Sequence, residues 1–176
     1  MKKLFYPSFA LLSLVSSLSS ATEQSHTGSL TVQATVVKSC LVNTNSSGQV
    51  NSPILDFGTI TSLTKDINAS TNGTTGNKIG VLCSNTTPWS LSLDGGKNSI
   101  DNQRRMSNNS EKAEFIPYNL YTDASRSSEV PFQGVALTGT GNGQQQTFDI
   151  YGRIPAGSAL PSPGSYIDTV TITVTY

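Results

Sequence analysis

The chain has 176 residues, of which only 12% are charged, with eleven basic side chains balancing eleven acidic ones. So sparse and even a charge leaves no basic patch to draw nucleic acid or an anionic membrane. Its single histidine, His26, excludes Ser–His and Cys–His nucleophilic pairs from the body of the fold.

Residues 1–21 read as a cleaved signal peptide. Lys2 and Lys3 form a charged start, Leu4 to Leu18 an apolar run broken by small residues and Pro7, and Ser19 and Ala21 the −3 and −1 positions of a cleavage site. The run falls short of the roughly 18 uninterrupted apolar residues of a membrane anchor. The mature chain then starts at Thr22 and keeps 155 residues, nine basic and eleven acidic. That length suits one domain with a core of its own. Its Ser, Thr, Asn and Gly content and frequent β-branched residues favour an all-β exported domain.

The first element is "GSLTVQATVVKSC", Gly28 to Cys40. Leu30, Val32, Ala34 and Val36 alternate with Thr31, Gln33 and Thr35, the period of a strand with one apolar face. Cys40 and Cys83 are the only cysteines. In an exported protein they read as one disulfide, which closes a loop long enough to stabilise the fold by about 4 kcal/mol. A catalytic or metal-binding thiol has no partner, because His26 lies in the tail and no CxxC pair occurs.

"PILDFGTI" predicts a strand ending in a bend at Gly58, and the polar stretch 61–76 a loop with a short strand in it. "NKIGVLCS" puts Ile79, Val81 and Cys83 on one face, and "PWSLSLDGG" does the same with Trp89, Leu91 and Leu93. With "NTTP" between them, the two predict a hairpin. Asn102 to Glu114 reads as a polar loop. In "FIPYNLYTDA", Ile116, Tyr118 and Leu120 share a face, and Pro117 demands an edge or bulged position.

"GTGNG", Gly139 to Gly143, lacks the lysine and helix of a phosphate loop and predicts a mobile hairpin loop. "TFDIYGRIPAG" sets Phe148, Ile150 and Gly152 opposite Asp149, Tyr151 and Arg153. The terminal "GSYIDTVTITVTY" alternates Val170, Ile172, Val174 and Tyr176 with threonines. Seven or more short strands with frequent turns predict a two-sheet sandwich. Asp56, Asp94, Asp101, Asp123, Asp149 and Asp168 fall at strand ends or turns, where aspartate caps backbone amides. No constellation of an enzyme and no cofactor site emerges.

Across the mature chain the pieces "VQATVVKSCLV", "LDFGTI", "IGVLCSNTTPWSLSLDGG", "RRM", "YNLYTDASRS", "GTGNGQQQTFDIYGRIPAG" and "GSYIDTVTITVTY" follow one another in order. Together they resemble the spore coat protein U domain shared by subunits of archaic, Csu-type chaperone–usher pili. One departure is "SSEVPF", which stands where the family often carries a tryptophan–glycine pair.

The resemblance implies an all-β fold, an incomplete immunoglobulin-like β-sandwich completed by donor-strand complementation. Residues 22–38 would be the donor segment and residues 39–176 the pilin domain. Gly28, Leu30, Val32, Ala34 and Val36 would then fill pockets of a neighbouring subunit. The implied partners are a periplasmic pilus chaperone, an outer-membrane usher and other pilin subunits, in a homo- or hetero-polymer. The protein would pass through the periplasm to the cell surface as a shaft or adaptor subunit, supporting attachment and biofilm formation. The alternatives are a non-pilus spore or cell-surface coat protein, or a self-contained secreted binding module.

Overall fold

A computed structural model describes residues 22–42, 52–72, 78–157 and 159–176. The leader read at 1–21 lies outside them. The chain divides after Thr35 into two units. In the first, residues 22–35 are exposed and carry no strand.

Among the described residues the second unit carries ten strands: β1 (Cys40–Val42), β2 (Ile67–Ser70), β3 (Ile79–Cys83), β4 (Pro88–Leu93), β5 (Arg104–Ser107), β6 (Phe115–Tyr121), β7 (Val135–Thr140), β8 (Gln145–Phe148), β9 (Tyr151–Ile154) and β10 (Ile172–Thr175). All pairings are antiparallel, in sheets of order β1–β3–β8, β10–β4–β7 and β2–β9–β6–β5. The period-2 patterns become the core. Ile79, Val81 and Cys83 of β3, Trp89, Leu91 and Leu93 of β4, and Ile116, Tyr118 and Leu120 of β6 are all buried. Ile150 and Ile154 join them in one cluster. Cys40 faces Cys83 in register across β1 and β3, and the expected disulfide joins them.

Several local expectations are corrected. β3 and β4 do not form a hairpin. After Cys83 the chain turns through Ser84–Thr87 and enters a different sheet, so that both apolar faces meet the core from separate layers. "GTGNG" is likewise no hairpin loop, because β7 and β8 belong to different sheets. It is fastened to that same turn: Gly141 N donates to Thr87 O at 2.7 Å, Thr86 N to Gly141 O at 2.8 Å and Gly143 N to Cys83 O at 3.1 Å. The run 148–153 also splits, β8 pairing with β3 and β9 with β2 and β6. Among the described residues these crossings divide the sandwich into three hydrogen-bonded sheets around one core.

"PILDFGTI" forms no strand, but its bend is present. Asp56 Oδ1 accepts the Gly58 amide at 2.8 Å, and Gly58 takes φ +70°, a conformation that favours glycine. Pro117 lies opposite Arg105 of β5, before the Asn119–Tyr121 stretch that pairs with β9, so it has a strand neighbour on one side only. That meets the edge requirement.

The stretch read as a polar loop, 102–114, contains β5 and a buried cation. Arg104 is 3% exposed. Its guanidinium donates to the carbonyls of Asp94 (3.0 Å), Val130 (3.0 Å), Leu93 (3.3 Å) and Pro131 (2.9 Å). Burial lowers its pKa, opposed by the nearby Tyr118, Glu129, Asp94 and Asp168. With four of its five N–H donors engaged, the fork explains how a charge is tolerated there.

Candidate functional site

Among the described residues β10 pairs with β4 alone and stands at the end of its sheet, with β1 close by. Residues 165–172 lead into it as one wall of an open groove, and residues 52–57 form the other. The floor is apolar, with Ile79, Leu93, Met106, Tyr118, Leu120 and Ile150. This part has a volume of about 680 Å³. It adjoins a second hollow of about 490 Å³, which shares Leu55, Phe57, Met106 and Tyr166 and adds Ile116 and Leu160.

The C-terminal wall is set by alternation. Tyr166, Asp168, Val170 and Ile172 are half-buried, with exposed residues between them. It is pinned at three heights. Ser107 and Ile167 exchange backbone hydrogen bonds of 3.0 and 2.9 Å. Asp168 Oδ1 accepts the Lys97 and Asn98 amides at 3.0 and 3.2 Å, while Oδ2 accepts the Tyr118 hydroxyl at 2.7 Å. Asp94 Oδ1 accepts the Thr171 amide at 2.8 Å.

Burial and the Asp168 carboxylate both raise the Tyr118 pKa far above that of a free phenol. The hydroxyl therefore stays protonated and keeps donating. At Asp94 burial favours the neutral acid, but hydrogen bonds from Thr171 and Gly96 and the Arg104 charge outweigh it and lower the pKa.

The opposite wall is held by packing. Leu55 and Phe57 reach over Gly152, where an added Cβ would lie 2.8 Å from each. The Phe57 and Tyr118 rings are 6.3 Å apart. Among the described residues no strand pairs with 52–60. An apolar trough beside an open strand edge is a surface that an extended peptide can fill through backbone pairing and alternate side chains.

Of the residues singled out from the sequence, Gly28, Leu30, Val32, Ala34 and Val36 are all exposed. Leu30, Val32 and Val36 are 87, 83 and 88% exposed, so the apolar row is presented to solvent. Val36, the last of the row, already belongs to the second unit, ahead of the Cys40–Cys83 disulfide. Just before it Ser39 is clamped by Ser84, with Ser39 N donating to Ser84 Oγ and Ser84 N to Ser39 O, both at 2.9 Å. Of the aspartates, Asp56 caps Gly58, Asp94 caps Gly96, Asp123 caps Ser127 and Ser128 and Asp168 caps Lys97 and Asn98, whereas Asp149 pairs with Lys78 at 3.1 Å.

Alternation placed Ile79, Leu93, Tyr118, Leu120 and Ile150 on apolar strand faces, but the sequence did not assign them to a groove. Their signal was Asp168, a polar residue in phase with Val170 and Ile172, which could have marked an inward position needing a partner.

Known structures give the fold its context. The chain is similar to one in the complex of the chaperone CsuC with the tip adhesion subunit CsuE, from the archaic chaperone–usher Csu pili of Acinetobacter baumannii. Identity is 24% and the TM-score 0.53, over 81% of this chain and 40% of that one. A chaperone–tip adhesin complex of CFA/I fimbriae biogenesis matches at 14% identity and TM-score 0.42, over 72% of this chain and 39% of that one. The chain thus spans well under half the length of these neighbours, and the first establishes the immunoglobulin-like fold. No curated protein matches. The family model of the Spore Coat Protein U domain covers residues 26–173, taking in both the exposed row and the groove, and the chain belongs to that family.

Proposed function

We propose that this protein is a structural subunit of a chaperone–usher pilus, shaft or adaptor, polymerised by donor-strand exchange. The observation that carries this reading is the open apolar groove between 52–57 and 165–172, in a chain whose own N-terminal segment exposes an alternating apolar row. Segment 22–38 of one subunit fills the groove of the next. Burial of each large aliphatic side chain of the row contributes roughly 1.5–3 kcal/mol before ordering costs, and Gly28 suits a shallow point or close backbone approach. Donor and acceptor are different surfaces, so the contact repeats head-to-tail and gives a filament.

On this reading residues 1–21 direct export and are removed. A periplasmic chaperone lends the missing strand until, at the outer-membrane usher, the next subunit replaces it. The fibre then stands on the cell surface and supports attachment and biofilm formation. Replacing Val32 or Val36 by Asp tests this. A charge in a groove pocket should abolish polymerisation while the domain keeps its unfolding transition. Loss of that transition would instead put these residues in the domain's own core.

A further inference from the structure

The groove floor has a profile, and so does the row. Along β6 the inward residues are Ile116, which lines the smaller hollow, and Tyr118 and Leu120, which line the larger one adjoining it. The middle one is the largest, and it cannot swing aside: it is 5% exposed, its hydroxyl is tied to Asp168 and its ring packs near Phe57. Of the three equally buried side chains Tyr118 is the longest, so it leaves the least room above it. The Tyr118–Asp168 pair is satisfied internally, so it asks an incoming side chain for small size rather than for a hydroxyl or a charge.

Neighbouring inward positions on a strand are about 6.6–6.8 Å apart, on β6 and on any strand laid beside it. A matching occupant needs large, small, large at successive inward positions. In the exposed row of this chain, Val32, Ala34 and Val36 have that order.

Resting on the donor-strand reading, we infer that the groove is shaped for the segment of a second copy of this chain, in one register. Ala34 lies over Tyr118, with Val32 and Val36 on either side over Ile116 and Leu120. A one-residue slip would turn Gln33 or Thr35 inward. A two-residue slip would bring Val32 or Val36 against the tyrosine, a bulk the packed floor cannot absorb.

The test uses the full mature chain with a second copy of Thr22–Lys38 appended after Tyr176 through a flexible linker, with substitutions in the appended copy only. The unfolding rate in guanidinium is the readout. Ala34→Leu should raise that rate at least tenfold, and Val32→Leu or Val36→Leu should change it less than threefold. Tyr118→Leu in the body should remove most of the Ala34→Leu effect. Should that variant not fold, the substitutions in the appended copy still decide. Equal effects at 32, 34 and 36, or a penalty at Gly28→Leu that Tyr118→Leu relieves, would overturn the register. If the unsubstituted copy itself fails to slow unfolding, the donor-strand reading fails, whatever happens at Ala34.

Discussion

The Tyr118 hydroxyl donates to Asp168 Oδ2 at 2.7 Å, tying the middle of β6 to the C-terminal wall of the groove. The bond joins residues fifty positions apart. Asp168 also accepts two backbone amides, so the wall is fixed from both sides at this height.

Tyr118→Phe removes this bond and leaves Asp168 its other donors. Hydrogen bonds to charged groups contribute about 1.5–3 kcal/mol, and urea unfolding of the variant should show a loss in that range. Asp168→Ala should cost more, since it strands the Lys97 and Asn98 amides together with the phenol. Equal losses would show that the amides find other partners.

Arg104→Met should destabilise the domain by about 3–5 kcal/mol, because four carbonyls lose their donors at a buried site. Arg104→Lys should recover only part of this, since an ammonium cannot reproduce the fork. Equilibrium denaturation of the three chains measures the order. Full recovery by lysine would mean that charge alone suffices.

Gly141→Ala places a Cβ 2.3 Å from Ser84 O and 2.7 Å from Cys83 Cβ. The loop must shift, at a cost of about 1–3 kcal/mol. Gly28→Ala meets nothing within 4 Å and should leave the domain's melting temperature unchanged. Thermal unfolding of both variants separates the pinned glycine from the exposed one.

Stability should fall on acidification. Asp94, Glu114 and Asp123 all have lowered pKa values. At Asp94 hydrogen bonds and Arg104 outweigh burial; at Glu114 the bonds from Ser162 lead, and at Asp123 those from Ser125, Ser128 and Ser127. A folded pKa below the unfolded one gives stability that is present above the unfolded value and lost as pH falls through the folded one. Denaturation midpoints should therefore hold from neutral pH down to about 5 and decline below about 4. With Asp123→Asn the decline should be shallower.

How far the residues alone led varies with the kind of interaction. Strand positions with alternation, such as Ile79–Cys83 or Trp89–Leu93, were legible because burial of one face imposes a period of two. So was the disulfide. Sheet membership was not, since alternation says which face is buried but not which neighbour supplies hydrogen bonds. The β3–β4 turn and the fastened "GTGNG" crossing were missed for that reason. Arg104 was hidden because its four acceptors are backbone carbonyls, which leave no trace in side-chain identity. The exposed row at 30–36 was visible at once, whereas the groove, assembled from 52–57, β6 and 165–172, needed the fold.

The most direct test compares two chains by size and thermal unfolding: mature protein without Thr22–Lys38, and the same protein carrying that segment after Tyr176. A groove that lacks a strand predicts an unstable, associating first chain and a soluble, strongly heat-resistant monomer for the second. Two monomers with the same melting temperature would contradict the account.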